Sequence, residues 1–341
     1  MAKRKNRTVF LQNSITIRSF ASAVGPKESE GPMQEWFDLK SEDEFFGEDS
    51  FEKAESKLQQ LAVKTAMKKG GITPSDVDII FAGDLLNQCI GSAYGLRELG
   101  MPFVGLYGAC STMALSLTMA AMSVESGGAN RAIAVTSSHF CSSERQFRFP
   151  LEYGGQRPPS AQWTVTGSGA VVVENQDDKN NNQNTIGIKA LTIGKIVDLE
   201  VTDMNNMGAA MAPAAADTIA AFLSDTNTKP CDYDLIVTGD LGSVGSQLLL
   251  ELLSEQQINL KNHLDCGVKI FDRNRQDVHA GGSGCGCSAS VLCSYILKNM
   301  SAGKYHDVLF CATGALMSPT SSMQGESIPS IAHLVHLSTR N

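Results

Sequence analysis

The residue in this chain best placed to do chemistry is Cys110. It lies in YGACSTMALS (107–116), where a small-residue turn leads into an apolar, helix-forming run. A thiol in the first turn of a helix feels the positive end of the helix dipole, which favours the thiolate. Nucleophilic catalysis would also need a base, usually histidine, and donors for a developing oxyanion. A buried thiol at a tight turn is also a common packing choice. Cys110 is therefore open to three readings: nucleophile, lining of a ligand pocket, or packed thiol. A second turn, GGSGCGCS (281–288), sets Cys285 and Gly286 ahead of another apolar run. Its Cys285 and Cys287 have no second ligand pair at zinc spacing, so no metal site is expected.

These turns could hold an anion. Cys110-Ser111 and Gly284-Cys285-Gly286 would offer backbone N–H groups at two helix starts. The long excursion FCSSERQFRFPLEYGGQRPPSAQW (140–163) carries Arg145, Arg148 and Arg157, with Phe147, Phe149 and Tyr153 as stacking partners. Each arginine either binds an anion bidentately or forms a surface ion pair. His139 and His279 are the histidines that could serve a pocket. Asp84 and Asp240 close two Gly-Asp-Leu strand ends. Each either caps its loop by accepting N–H bonds or serves calcium.

The elements that must position these residues are duplicated. DVDIIFAGDL (76–85) recurs as DYDLIVTGDL (232–241), an offset of 232 − 76 = 156. The stretch 109–139 aligns without a gap to the stretch beginning at Gly284, at offset 175, pairing Cys110 with Cys285, Thr136 with Cys311 and His139 with Gly314. Each copy reads as turn, apolar helix, small-residue stop and buried strand. The expectation is an α/β chain of two pseudo-symmetric βαβ-type halves, 1–175 and 185–341, forming one compact unit with both turns at the carboxyl ends of strands. The polar run 174–184 reads as a hairpin or linker between them.

The bulk properties exclude some partners. With 341 residues and 42% apolar content, the chain can bury a large core. A net charge of −8 argues against nucleic acid. Nine cysteines, an odd number, read as free thiols. The basic start, MAKRKNRTVF, lacks the apolar region of a signal peptide. No unbroken apolar run of the length a bilayer needs occurs, so no transmembrane segment is expected.

A cysteine opening a helix in a duplicated α/β chain resembles the thiolase superfamily, which includes thiolases and β-ketoacyl synthases. TVTGSGAVVV (164–173) and ATGALMSP (312–319) are similar to its glycine-rich strand and turn. One branch is closer. SERQFRFPLEYGGQ, MAPAAADTI, AGGSGCGCSA and ATGALMSPTSSMQGESIPSIAHLV resemble the stage V sporulation protein AD family of endospore-forming bacteria, from about Val9 to the end of the chain. The resemblance implies a layered α-β-α-β-α fold and a peripheral place at the spore inner membrane with the other SpoVA proteins. It further implies binding of dipicolinic acid or its calcium chelate, for uptake into the developing spore and release on germination.

The expected ligand-binding residues are Cys110, Ser111, Cys285 and Gly286 at the floor, with His139, Arg145, Arg148, Arg157 and Asp240. Where ketoacyl synthases carry a histidine after a second-half strand, this chain has Asp240. Where they carry an asparagine opposite the cysteine, it has Cys285. The chain is therefore expected not to be an enzyme and to need no cofactor. An active acyltransferase using Cys110 and a docking scaffold without ligand are the alternatives. A homodimer is expected, with ANRAIAVTSS (129–138) as the candidate edge strand.

Overall fold

The computed structural model describes residues 2–147, 157–176 and 185–340. Arg148, Phe149, Tyr153 and most of the polar run 174–184 lie outside the described residues.

Fifteen strands are described. The first half holds β1 (Lys3–Lys5), β2 (Thr8–Phe10), β3 (Ile15–Val24), β4 (Leu39–Lys40), β5 (Ile79–Gly83), β6 (Phe103–Gly105), β7 (Arg131–Ser138), β8 (Trp163–Thr164) and β9 (Gly167–Asn175). The second holds β10 (Gly187–Thr192), β11 (Leu235–Thr238), β12 (His263–Asp265), β13 (Gly282–Ser283), β14 (Asp307–Ala315) and β15 (Ser330–Ser338). The helices are α1 (Pro26–Ser29), α2 (Phe51–Gly70), α3 (Ile90–Leu96), α4 (Thr112–Glu125), α5 (Phe140–Phe147), α6 (Met207–Thr226), α7 (Gly242–Glu255), α8 (Cys266–Ile270), α9 (Cys285–Val291), α10 (Leu297–Ser301) and α11 (Pro319–Met323).

The strand order is β12-β11-β14-β15-β10-β3-β9-β7-β5-β6. Read outward from the central β10–β3 pair, the two arms have the same plan. In each arm, the strand that comes first in the chain is followed by the last, the fourth, the second and the third. β5 and β11 hold equivalent positions, each parallel to both neighbours. The short turns before them repeat as well. Asp76 accepts the Thr73 N–H and Asp232 accepts the Lys229 N–H, each at 2.8 Å and 156 residues apart.

Hydrophobic pattern places the helices in layers. α2 covers one outer face, packing Leu58, Ala62, Val63 and Ala66 on β3, β7 and β9. α6 and α7 cover the other, with Met211, Ile219, Phe222 and Leu249 buried. α4 is apolar all round, and Met113, Leu117, Ala120 and Ala121 are fully buried. A helix with no polar face must be covered on every side, and α4 lies between the two arms of the sheet, touching β5, β7 and β9 on one side and β14 and β15 on the other. α9 lies beside it. The result is the expected α-β-α-β-α arrangement.

The gapless alignment needs one correction. Residues Leu292–Ile296 form a π turn between α9 and α10, and a π turn absorbs one extra residue. The left-handed residues opening the two helices, Ala109 and Gly284, keep the offset at 284 − 109 = 175. The left-handed glycines ending them, Gly127 and Gly303, stand at 303 − 127 = 176. Sheet register agrees. Thr136 lies opposite Gly83, and Cys311 lies opposite Thr238, one residue short of Gly239. Thr136 therefore corresponds to Ala312, not Cys311, and His139 to Ala315, not Gly314.

The expected edge strand is also corrected. β7 is paired on both sides, to β5 and β9. The exposed edge of that arm is β6. Among the described residues one helix, Met207–Thr226, is long and apolar enough to cross a membrane, and 61% of its apolar window is buried within the fold.

Candidate functional site

The two turns meet because each half packs its helix start on a strand of the other. The Cys110 turn abuts β14, where a Cβ on Gly314 would stand 2.3 Å from the Gly108 carbonyl and 3.0 Å from the Ser111 nitrogen. The Cys285 turn abuts β7 and β9. A Cβ on Gly286 would meet the Gly167 carbonyl at 2.3 Å and the Ser138 nitrogen at 2.7 Å. Gly284, at φ 101°, takes a conformation that a side chain would strain. Glycine at these positions is what lets the backbones approach and brings Cys110 and Cys285 into one cluster with Leu85 and Phe147.

Cys110 is 5% exposed, and its sulfur lies 4.0 Å from the Ser283 hydroxyl. Burial pushes its thiol well above the ordinary range, and the facing Asp240 carboxylate pushes it further. Cys285 is fully buried, donates to the Ser137 carbonyl at 3.0 Å, and is likewise pushed up by burial. Both thiols keep their protons near neutral pH. Position at a helix start does not activate Cys110, because loss of solvation and a neighbouring carboxylate outweigh the helix dipole.

Asp240 is the centre of the polar network. Its carboxylate accepts from the Gly284 N–H at 2.9 Å, the Thr313 hydroxyl at 2.9 Å and the Ser283 hydroxyl at 3.2 Å. Burial raises its pKa to about 6, against the lowering effect of these donors. Asp265, behind it, accepts from Thr238 and from the backbone of Leu241, Gly242 and Val268, and burial lifts it to about 7. Asp84 accepts the Leu86 and Ser92 N–H groups, which is the loop-cap arrangement. Glu55, raised by burial, accepts from Ser137 and Ser142.

The expected anion donors are largely committed internally. The Gly284 N–H serves Asp240, the Gly286 N–H serves the Ser138 hydroxyl, and the Ser111 N–H serves the Gly108 carbonyl. His139 is buried, with Nε2 on the Glu44 carbonyl at 2.8 Å and Nδ1 accepting from the Cys141 N–H, and burial lowers its pKa. His279 faces Asp277. Arg145, 58% exposed, pairs with Glu52 at 3.0 Å. Arg157 pairs with Asp277 at 2.9 Å and lies 4.7 Å over the Trp163 ring. Its other guanidinium nitrogen, Nη1, is buried without an acceptor. Arg148 lies outside the described residues. The structure thus brings Cys110, Ser111, Cys285, Gly286 and Asp240 together, and places His139, Arg145 and Arg157 around that centre in other contacts.

Sequence reasoning missed Ser283, Thr313 and Asp265. Ser283 and Thr313 stood inside the two quoted glycine motifs. Asp265 carried no local signal, since only tertiary packing sets it behind Asp240.

The sequence model of the family described as Stage V sporulation protein AD matches residues 5–338. The chain is 45% identical over 328 residues to stage V sporulation protein AD of Bacillus subtilis (strain 168), covering 96% of this chain and 95% of that protein. The chain belongs to the stage V sporulation protein AD family. Its sporulation role follows from that membership. The chain's fold is thiolase-like, because solved structures of that kind superpose over nearly its whole length. The 3-oxoacyl-[acyl-carrier-protein] synthase III of Aquifex aeolicus VF5 aligns with a TM-score of 0.56 at 13% identity, covering 95% of this chain and 99% of that one. A variant of OleA from Xanthomonas campestris gives 0.61 at 13%, covering 96% and 99%. Human mitochondrial 3-ketoacyl-CoA thiolase in complex with CoA gives 0.60 at 11%, covering 97% and 99%.

Proposed function

We propose that this member of the stage V sporulation protein AD family is a non-catalytic component of the SpoVA complex at the spore inner membrane, binding dipicolinate during its uptake into the developing spore and its release on germination. The observation that carries the reading is the pairing of Cys110 with Asp240. A thiolase-type reaction needs the thiol to lose its proton to a base. Here a buried thiol faces a buried acid, and no imidazole among the described residues hydrogen-bonds it. Electrostatics also narrows the form of the ligand. A free dianion beside Asp240 would be repelled at low dielectric. Binding is favoured when Asp240 is protonated, or when calcium arrives between the carboxylates as the chelate. Arg157, with Nη1 lacking an acceptor, supplies positive charge near β8 and β13. Parallel calorimetric titrations with dipicolinate, calcium dipicolinate and acetyl coenzyme A test the reading. Heat from either dipicolinate form and none from the thioester is expected. Acyl transfer from the thioester to Cys110 would overturn it.

We propose separately that the protein is a homodimer, joined at β6. Phe103 and Val104 on that edge are 39% and 37% exposed, beside Tyr107 at 47%. An apolar unpaired edge is a template for a second strand. Light scattering should give twice the chain mass, and Val104→Lys should give a monomer. A monomeric wild type at micromolar concentration removes this part of the proposal.

A further inference from the structure

The chain is acidic overall, yet its first residues are not. MAKRKNR (1–7) holds four cations and no acid, so the remaining residues carry a net −8 − 4 = −12. Lys3, Arg4 and Lys5 form β1, and all three are exposed. β1 is the outermost strand of a hairpin whose second strand, β2, pairs with the end of β10 through Thr8 and Thr192. The Thr8 and Thr192 hydroxyls meet at 2.8 Å. Immediately after Thr192 the chain runs out over the surface as IGKIVDL (193–199). Within it Val197 turns inward against the second-half core, while Ile193, Ile196 and Leu199 are 42%, 63% and 60% exposed.

The cationic and apolar segments adjoin at Asp217. Arg7 and Lys195 bind the two oxygens of the same carboxylate, Asp217, at 2.7 and 2.9 Å. Lys195 is flanked in sequence by Gly194 and Ile196, and Arg7 lies two residues beyond Lys5, the last cation of β1. Asp217 neutralises part of the charge of Arg7 and Lys195. Lys3, Arg4 and Lys5 have no ion pair among the described residues, so their charge is available to a partner. Three exposed cations and three exposed aliphatic side chains, on segments that adjoin at Asp217, fit the boundary of an anionic bilayer. Phosphate headgroups take the cations, and the aliphatic tips enter the acyl boundary.

We propose that the β1 hairpin and the Ile193–Leu199 segment form the face by which this protein docks on an anionic lipid surface. The inference rests on the reading that the protein works at the spore inner membrane, and it names the face that meets that membrane. The exposed acids of this region, Asp198 and Glu200, oppose an anionic surface, so the attraction must come from Lys3, Arg4 and Lys5.

The test is co-sedimentation of the full chain with vesicles of phosphatidylcholine and phosphatidylglycerol, and with vesicles of phosphatidylcholine alone. Binding to the mixed vesicles only, weakening as salt rises, is expected. Lys3→Gln/Arg4→Gln/Lys5→Gln together should lower the partition coefficient by roughly a hundredfold. Ile193→Ser/Ile196→Ser should lower it by about tenfold. These side chains are exposed, so both variants should keep the wild-type circular dichroism and thermal midpoint. Equal binding to both vesicle types, no binding to either, or variants that bind like wild type would each overturn the proposal. Titration of the same variants with dipicolinate separates the two readings, since ligand binding should be unchanged whether or not docking fails.

Discussion

At Cys110 the neighbouring carboxylate does the opposite of what an imidazole would do. An imidazole accepts the thiol proton and then, as a cation, stabilises the thiolate. Asp240 is anionic above about pH 6 and repels a thiolate. The thiol is consequently a small, neutral wall. If it lines a pocket, its size matters and its chemistry does not. Cys110→Ala should bind dipicolinate nearly as well as wild type, whereas Cys110→Trp should block binding and, because the site is buried, lower the thermal midpoint as well. Loss of binding in the alanine variant would give the thiol a chemical role. Arg157→Ala should weaken binding by roughly 1.5–3 kcal/mol if its guanidinium holds a carboxylate, about ten- to a hundredfold in calorimetry. Wild-type affinity in that variant would leave Arg157 as the partner of Asp277 and Trp163 only.

Among the elements, α9 carries one of the tightest contacts of the site. It is built from small residues, CGCSASV, all buried, because its start is pressed on the backbone of β7 and β9. A Cβ at position 286 would lie within 2.8 Å of two backbone atoms, at 2.3 and 2.7 Å, and backbone cannot move aside as a flexible side chain would. Gly286→Ala should therefore destabilise the fold by about 1–3 kcal/mol, seen as a lower midpoint in urea unfolding. An unchanged midpoint would mean that α9 can shift without cost. The π turn that follows explains why the repeat was readable at both ends of this element but mispaired beyond it. A one-residue insertion costs the helix little in hydrogen bonds, yet it displaces every later residue in the alignment by one.

For the whole molecule, buried acids dominate the dependence of stability on pH. Burial lifts Glu28 to about 8 and Asp265 to about 7, and raises Glu55 as well. An acid whose pKa is raised on folding holds a proton that the unfolded chain has released, so stability falls as pH rises between the two values. The buried His263 and His333, lowered to about 4, act in the other direction between about pH 4 and 6.5, where only the unfolded chain is protonated. Above pH 6.5 those histidines are neutral in both states and only the acids act. The thermal midpoint should therefore fall between pH 6.5 and 8, each held proton contributing about 1.4 kcal/mol per pH unit. Glu28→Gln should flatten the slope by one proton, since Glu28 has one carboxyl oxygen buried without a partner. A midpoint that rises across this range would contradict the burial of these groups.

The duplication, the parallel strands, the place of Cys110 and Cys285 at two helix starts, and the family were all legible in the chain before any folding. Each is written in local patterns: strand-forming runs ending in Gly-Asp-Leu, small-residue turns, and long motifs such as SERQFRFPLEYGGQ. Which donors remain for a ligand was not legible there. Whether the Gly284 N–H is free depends on Asp240, 44 residues away. Whether His139 faces the thiol depends on Glu44, 95 residues away. The interior place of β7 and the edge place of β6 also emerged only on folding, because an apolar run reads the same in either place until its neighbours are known. Long-range pairing and burial are set by the packing of the two halves against one another, and no local run of residues encodes them alone.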